Sequence, residues 1–172
     1  MRRRTGLTLV MLISGALAVL AVGSYATADS GKKNVSTGAM SGYLEGAPGG
    51  PVSSSAGGSF EATIADERSE IGFTLTYANL EAPVLFAHIH FGQRSVNGGV
   101  AAFLCGGGGK PACPQSGTVT GTVVPADVIG PAGQGIAAGE FDELVRAIRA
   151  GVTYANVHSM TQPGGEIRGQ IK

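Results

Sequence analysis

Short runs of alternating apolar and polar residues constrain the fold of this chain more than any other feature. Phe60, Ala62 and Ile64 alternate with polar residues, and the run from Ile71 to Tyr77 repeats the same two-residue period. Because successive side chains of a strand point to opposite faces, this period predicts two half-buried strands. The short charged segment between them, residues 65–70, favours an antiparallel hairpin.

Five further segments have the length and composition of strands, and a sixth, Thr37–Leu44, could add a short first strand. The 29 glycines favour the tight turns that short strands need. A turn at Pro163–Gly165 predicts that the last two segments form a closing hairpin. The five segments are Val84–Phe91, Gly98–Leu104, Thr118–Val124, Val152–His158 and Glu166–Lys172.

One segment, Glu140–Ala150, has the apolar spacing of a helix. Its acidic residues stand at the start and Arg146 and Arg149 toward the end, as the helix dipole prefers. The fold class expected from the whole pattern is mainly β. It is an antiparallel β-sandwich or barrel of about seven short strands with one interposed α-helix.

The N-terminal residues match a secretory signal. Arg2–Arg4 precede an uncharged apolar stretch, Leu7–Val22, and Ala26–Ala28 offers a cleavage site before Asp29. We therefore expect a signal peptide over residues 1–28, a disordered lead-in over 29–38 and a β domain over 39–172. The alternative is an uncleaved membrane anchor. Cleavage predicts a secreted or extracytoplasmic protein, in the periplasm or at the cell surface, with no stable membrane span.

Cleavage would also change the charge of the protein. Without Arg2–Arg4 the chain keeps nine basic and twelve acidic residues, a formal net charge of −3. A mildly acidic domain lacks the basic stripe that nucleic acids require, so we expect no nucleic-acid partner.

The only two cysteines, Cys105 and Cys113, bracket a short glycine-rich loop. In an exported protein such a pair predicts a disulfide. A redox switch or a metal-binding pair is the weaker alternative, because a catalytic dithiol usually has two residues between its cysteines.

Several motifs together resemble the CHRD domain, the module first noticed in chordin. The most specific is the closing pair of motifs, and the resemblance covers roughly Ala39 to Lys172. The matching segments are Ala87–Gly92, Asn97–Val100, Tyr154–His158 and Pro163–Ile171.

The resemblance implies an exported β-sandwich-like module that has no assigned reaction and often stands alone in bacteria. In chordin-like proteins it accompanies modules that bind extracellular signalling proteins. We therefore expect a non-enzymatic module that binds an extracellular protein or a cell-envelope component.

The three histidines, His88, His90 and His158, suggest a second function. His88 and His90 leave one face of a strand with Cα atoms about 6.5 to 7 Å apart. Three imidazoles with an open fourth position would suit Zn²⁺ or Cu²⁺. The alternative is a structural role in which the rings are buried and hydrogen-bonded. The arrangement is distantly similar to copper-zinc superoxide dismutase, but three histidines allow only a mononuclear site.

A polar cluster is expected beside His158, formed by Asn156, Glu166 and Arg168. Its simplest interpretation is a buried ion pair that fixes the register of the closing hairpin. Ser159 follows His158, but adjacent strand residues point to opposite faces, so we expect no Ser-His pair and assign no catalytic residue.

Overall fold

The computed structural model describes residues 32–42, 50–65 and 69–172. The predicted signal peptide, residues 1–28, and the first part of the predicted lead-in lie outside the described residues. Eight strands, one α-helix and two 3-10 helices, Pro125–Asp127 and Ala132–Gln134, lie wholly within the described part of the chain. The strands and the α-helix position the site. They are β1 Lys33–Ser41, β2 Gly57–Ala65, β3 Glu70–Ala78, β4 Val84–Phe91, β5 Gly99–Cys105, β6 Gly117–Val123, α1 Phe141–Arg149, β7 Thr153–Ser159 and β8 Ile167–Ile171. Within these residues, no helix is both long and apolar enough to cross a bilayer.

The eight strands form one antiparallel sheet in the order β5-β4-β7-β8-β1-β2-β3-β6. The two end strands, β5 and β6, approach each other. The sheet therefore curls into a nearly closed barrel, which confirms the predicted antiparallel, mainly β fold with one helix. Each of the eight described strands corresponds to a segment identified in the sequence, including the short first strand.

The first strand begins earlier than predicted. Lys33 already pairs with Ile64 of β2, and the pairing continues to Ser41 opposite Gly57. Residues 33–38 were expected to belong to a disordered lead-in, and for them that expectation is wrong. Few side chains of this segment are buried, which is consistent with its polar sequence. Its order comes instead from backbone pairing with β2, and a polar sequence gives no sign of that pairing.

The core lies inside the barrel and under α1. The alternation predicted for β2 and β3 is confirmed, since the apolar residues of both strands are buried. Helix α1 is also confirmed, and it buries one apolar face against the sheet. The buried residues of that face are Phe141, Leu144, Val145, Ala147 and Ile148.

Cys105 and Cys113 form the predicted disulfide, with their Cα atoms 5.1 Å apart. Cys105 ends β5 and belongs to the core. Inside the bridged loop the backbone amide of Gly106 donates to the carbonyl of Pro111. The bridge therefore ties an external loop to the last residue of an edge strand.

Candidate metal centre

Strands β4, β7 and β8 have two buried faces. One faces the barrel interior and carries small and branched apolar residues such as Ile89 and Val157. The opposite face, here called the polar face, carries side chains of a different kind. Its members are Phe86, His88 and His90 on β4, Tyr154, Asn156 and His158 on β7, and Arg168 and Gln170 on β8. Every residue of β7 and β8 is buried, so neither strand shows the alternation of a half-exposed strand.

The loop after β4, residues 92–98, lies over the polar face. The Arg168 guanidinium donates to Asn97 Oδ1 at 3.1 Å, and the Gln170 amide donates to the carbonyl of Gly92 at 3.0 Å. The backbone amide of Gly98 donates to the hydroxyl of Tyr154. The face is therefore buried by a loop whose backbone supplies many of its polar partners.

The register between β4 and β7 brings the three histidines together. Phe86 lies opposite His158, and His88 lies opposite Asn156, so His158 and His88 are diagonal neighbours. Nδ1 of His88 lies 3.2 Å from Nε2 of His158. One potential ligand nitrogen from each histidine lies within 4.8 Å of the others, and all three side chains are buried. The structure thus brings together the three residues singled out from the sequence.

Two backbone carbonyls orient two of the rings. Nδ1 of His90 donates to the carbonyl of Gly98 at 3.0 Å, and Nδ1 of His158 donates to that of Pro163 at 3.0 Å. A carbonyl can only accept, so each Nδ1 carries the hydrogen and each Nε2 keeps its lone pair. Nε2 of His90 is buried and has no hydrogen-bond partner in the described part of the chain. A carbonyl on one ring nitrogen and a lone pair on the other is the usual arrangement of a metal-binding histidine.

Burial keeps the three rings neutral. Burial, and after it the neighbouring charges of His158 and His90, lower the pKa of His88 to about 3. Burial likewise lowers the pKa of His158 to about 4. The pKa of His90 is also lowered, first by burial and then by the charge of Arg168, against the opposing effect of its bond to Gly98. Neutral imidazole is the form that coordinates a metal ion.

Aromatic rings surround the histidines. The ring of Phe103 lies 4.4 Å from that of His88, and the ring of Phe86 lies 4.8 Å from that of His158, between centroids. Tyr154 stacks on His90 with an interplanar angle of 3° and a centroid distance of 4.7 Å. The guanidinium carbon of Arg168 lies 4.2 Å from the centroid of the Tyr154 ring. The rings limit both the rotation of the histidines and the access of water.

The spacing of His88 and His158 fits a single metal ion, and the His90 ring must move inward to join them, since the three nitrogens span up to 4.8 Å. In a tetrahedral zinc site with metal-nitrogen distances of about 2.0 to 2.1 Å, two ligand nitrogens are roughly 3.3 Å apart. The 3.2 Å between His88 and His158 is close to that value. Both cysteines are in the disulfide, so neither supplies a thiolate. The donor set consists of three imidazole nitrogens.

The members of the predicted polar cluster take different partners. The Glu166 carboxylate accepts from the hydroxyls of Ser54 and Ser159 and from the backbone amide of Glu81. Arg168 instead contacts the loop over the polar face and the Tyr154 ring. Hydroxyl and amide donors thus surround the Glu166 carboxylate, and the ion pair between Glu166 and Arg168 stays a prediction.

Asn156, the third predicted member, lies beside Arg168 in the register between β7 and β8. Its Oδ1 is buried and has no hydrogen-bond partner among the described residues. Gly165 packs against this side chain, and a Cβ at Gly165 would lie 2.4 Å from the Asn156 amide nitrogen. Only glycine at this turn leaves room for the asparagine.

Sequence reasoning missed the aromatic residues and Ser54. Phe86 had a usable signal, because it is two residues before His88 and so shares its face. Tyr154 could have been identified in the same way, because it is an even number of residues from His158 on the same strand and so shares its face. Ser54 had none, since it reaches Glu166 across 112 residues of sequence.

A nearly closed antiparallel β-barrel with a buried cluster of three histidines outside its core defines the structural class. The family model of the CHRD domain matches residues 36–171. The chain therefore belongs to the CHRD-domain family, as its motifs predicted. No curated protein and no solved structure matches the chain.

Proposed function

We propose that this protein is an exported CHRD-domain protein that binds one copper or zinc ion through His88, His90 and His158. The observation that carries the proposal is the convergence of three buried, neutral imidazoles within 4.8 Å, two of them oriented by backbone carbonyls. A hydrogen-bonded structural cluster would account for the pair His88 and His158. It leaves the lone pair of His90 Nε2 buried with no donor from the residues that the structure describes, which is costly unless a ligand uses it.

Two observations support export. The N-terminal pattern of arginines, apolar stretch and small residues is typical of a secretory signal. The disulfide between Cys105 and Cys113 is typical of proteins that leave the reducing cytoplasm.

Binding of an extracellular protein or a cell-envelope component stays a prediction from the family resemblance. The histidine cluster supports the metal function more directly, because its chemistry follows from named atoms. A module that acts only by binding a partner would not need three neutral imidazoles facing one another.

Metal analysis of the purified protein tests the proposal. The protein is stripped with a chelator, loaded with Zn²⁺ or Cu²⁺, passed through a desalting column and analysed for bound metal. We expect one ion per chain. His88→Phe and His90→Phe keep a flat ring but remove both nitrogens, and each should abolish stoichiometric retention.

Ile89→Val is the matched control, since Ile89 lies between the two histidines and faces the core. It should retain the full metal content. Failure of the wild-type chain to retain either metal, or full retention by both histidine variants, would contradict the proposal.

A further inference from the structure

The ligand set of the candidate centre carries no negative charge. The cluster identified among the described residues contains His88, His90 and His158 and no carboxylate or thiolate. A divalent ion held by three neutral imidazoles keeps its full charge of two in a buried place. The Born cost of burying an ion rises with the square of its charge, so a monovalent ion costs roughly a quarter as much.

A buried cation lies next to this ligand set. Arg168 is 2 % exposed, and its guanidinium stacks on Tyr154, which in turn stacks on His90. The positive charge of Arg168 repels a metal cation held by His90, because like charges at this short range raise each other's energy in a buried place. This repulsion acts on a divalent ion about twice as strongly as on a monovalent one.

The surroundings also limit the number of ligands. Phe86 and Phe103 occupy two sides of the cluster with rings that offer no oxygen or nitrogen. A further oxygen on this face, Oδ1 of Asn156 opposite His88, is neutral and adds no negative charge. Zinc in proteins is almost always four-coordinate, with water or an anionic side chain completing the set. Cuprous copper accepts three neutral nitrogen donors without a fourth ligand or a compensating anion.

From these observations we propose that the centre selects monovalent copper over divalent zinc and divalent copper. This inference rests on the proposed metal-binding function and specifies the ion. The neutral ligands, the adjacent Arg168 and the aromatic walls all favour the ion of lower charge and lower coordination number.

Competition titrations of the full exported protein test the selectivity. Cu⁺, kept reduced by ascorbate under nitrogen, is titrated against a chromophoric Cu⁺ chelator. Zn²⁺ and Cu²⁺ are titrated separately against chelators of known affinity. We expect the dissociation constant for Cu⁺ to be lower than that for either divalent ion by at least about 100-fold. Tighter or equal binding of a divalent ion overturns the selectivity and leaves the metal function standing, whereas no binding of any ion removes the metal function itself.

Two substitutions at Arg168 separate its charge from its packing. Arg168→Met removes the charge and keeps a long apolar stem, and it should reduce the preference for Cu⁺ by about tenfold. Arg168→Lys keeps the charge and should preserve the preference. An unchanged preference in a folded Arg168→Met protein, judged by circular dichroism, overturns the role given to this charge.

A third variant adds a negatively charged ligand to the centre and leaves Arg168 in place. Phe103 is half-buried on the edge strand β5, and its ring is next to His88. Phe103→Glu would supply a carboxylate at the cluster, and the affinity for Zn²⁺ should rise by about tenfold or more relative to Cu⁺. A ratio unchanged from wild type contradicts the argument from ligand charge.

Discussion

The two buried faces of β4 and β7 differ in what their residues require from the rest of the molecule. Ile89 and Val157, on the core face, need only a cavity of the right shape. His88 and His158, on the polar face, need donors and acceptors at defined angles, and these come from turns and loops. Burying polar groups costs free energy that burying apolar ones does not. The need for a stable fold therefore does not by itself explain why polar side chains are buried on this face.

The largest difference between the faces should appear in acid. In the folded protein burial holds the pKa of His88 near 3 and that of His158 near 4, while the unfolded chain takes up these protons near 6.5. The unfolded state therefore binds more protons below pH 6.5. The contribution of the neutral rings to stability is fully present above pH 6.5 and is lost as the pH falls, toward about 4 for His158 and toward about 3 for His88.

Each such histidine adds up to about 1.4 kcal/mol per pH unit to the slope of the unfolding free energy. Urea unfolding of metal-free protein at several pH values between 6.5 and 4 measures this slope. His88→Phe should have a shallower slope than wild type by up to that amount. Parallel curves for the two proteins would show that His88 is not held neutral.

On the core face, Ile89→Ala should destabilise the protein by about 2 to 5 kcal/mol, because it opens a cavity in a closely packed interior. Ile129→Ala removes the same atoms from a side chain that is 47 % exposed, and it should cost much less. Denaturant unfolding compares the two. At temperatures where the Ile89→Ala and wild-type proteins are both folded, Ile89→Ala should retain the metal content of wild type. A selective loss of metal would show that the core face also controls metal binding.

The disulfide belongs to the core side of the comparison, since Cys105 is part of the core and 1 % exposed. Replacing both cysteines by alanine should lower the unfolding free energy by about 2 to 3 kcal/mol, because the unfolded chain loses a closed loop. Calorimetry measures the loss. Metal stoichiometry should not change, and a fall in it would place the bridged loop with the metal centre instead.

The smallest expected effect concerns the segment held by Glu166. Ser54→Ala removes one of the two hydroxyls that donate to the buried carboxylate and should cost about 1 to 2 kcal/mol. Ser55→Ala, at an exposed neighbouring position, should cost less than about 0.5 kcal/mol. Thermal unfolding of both variants gives the comparison. Equal losses would mean that the Glu166 contacts contribute nothing specific.

The core face could be predicted from the sequence, and the polar face only in part. A two-residue period is sufficient to identify β2 and β3, and a 3.6-residue period identifies α1. No such period marks β7, because both of its faces are buried. The loop that buries the polar face packs partly through backbone groups, such as the carbonyl of Gly92 and the amide of Gly98, and a backbone group leaves no side-chain pattern in the sequence.

The histidines themselves were recognisable because they are few and share a strand face. The distances between the three histidines could not be predicted, because they depend on the register between β4 and β7. The partners of Glu166 escaped prediction for a related reason. They come from segments far apart in sequence, and a hydroxyl donor has no pattern that distinguishes it from any other serine.

The order in which the chain supplies the candidate ligands has a consequence for biosynthesis. His88 and His90 come from the middle of the chain, whereas His158 and the Pro163 carbonyl that orients it come from the closing hairpin. A nascent or truncated chain that lacks this hairpin has two of the three imidazoles and no barrel to bury them. Capture of a metal ion by all three would thus be a late event, possible only once the C-terminal strands have joined the sheet.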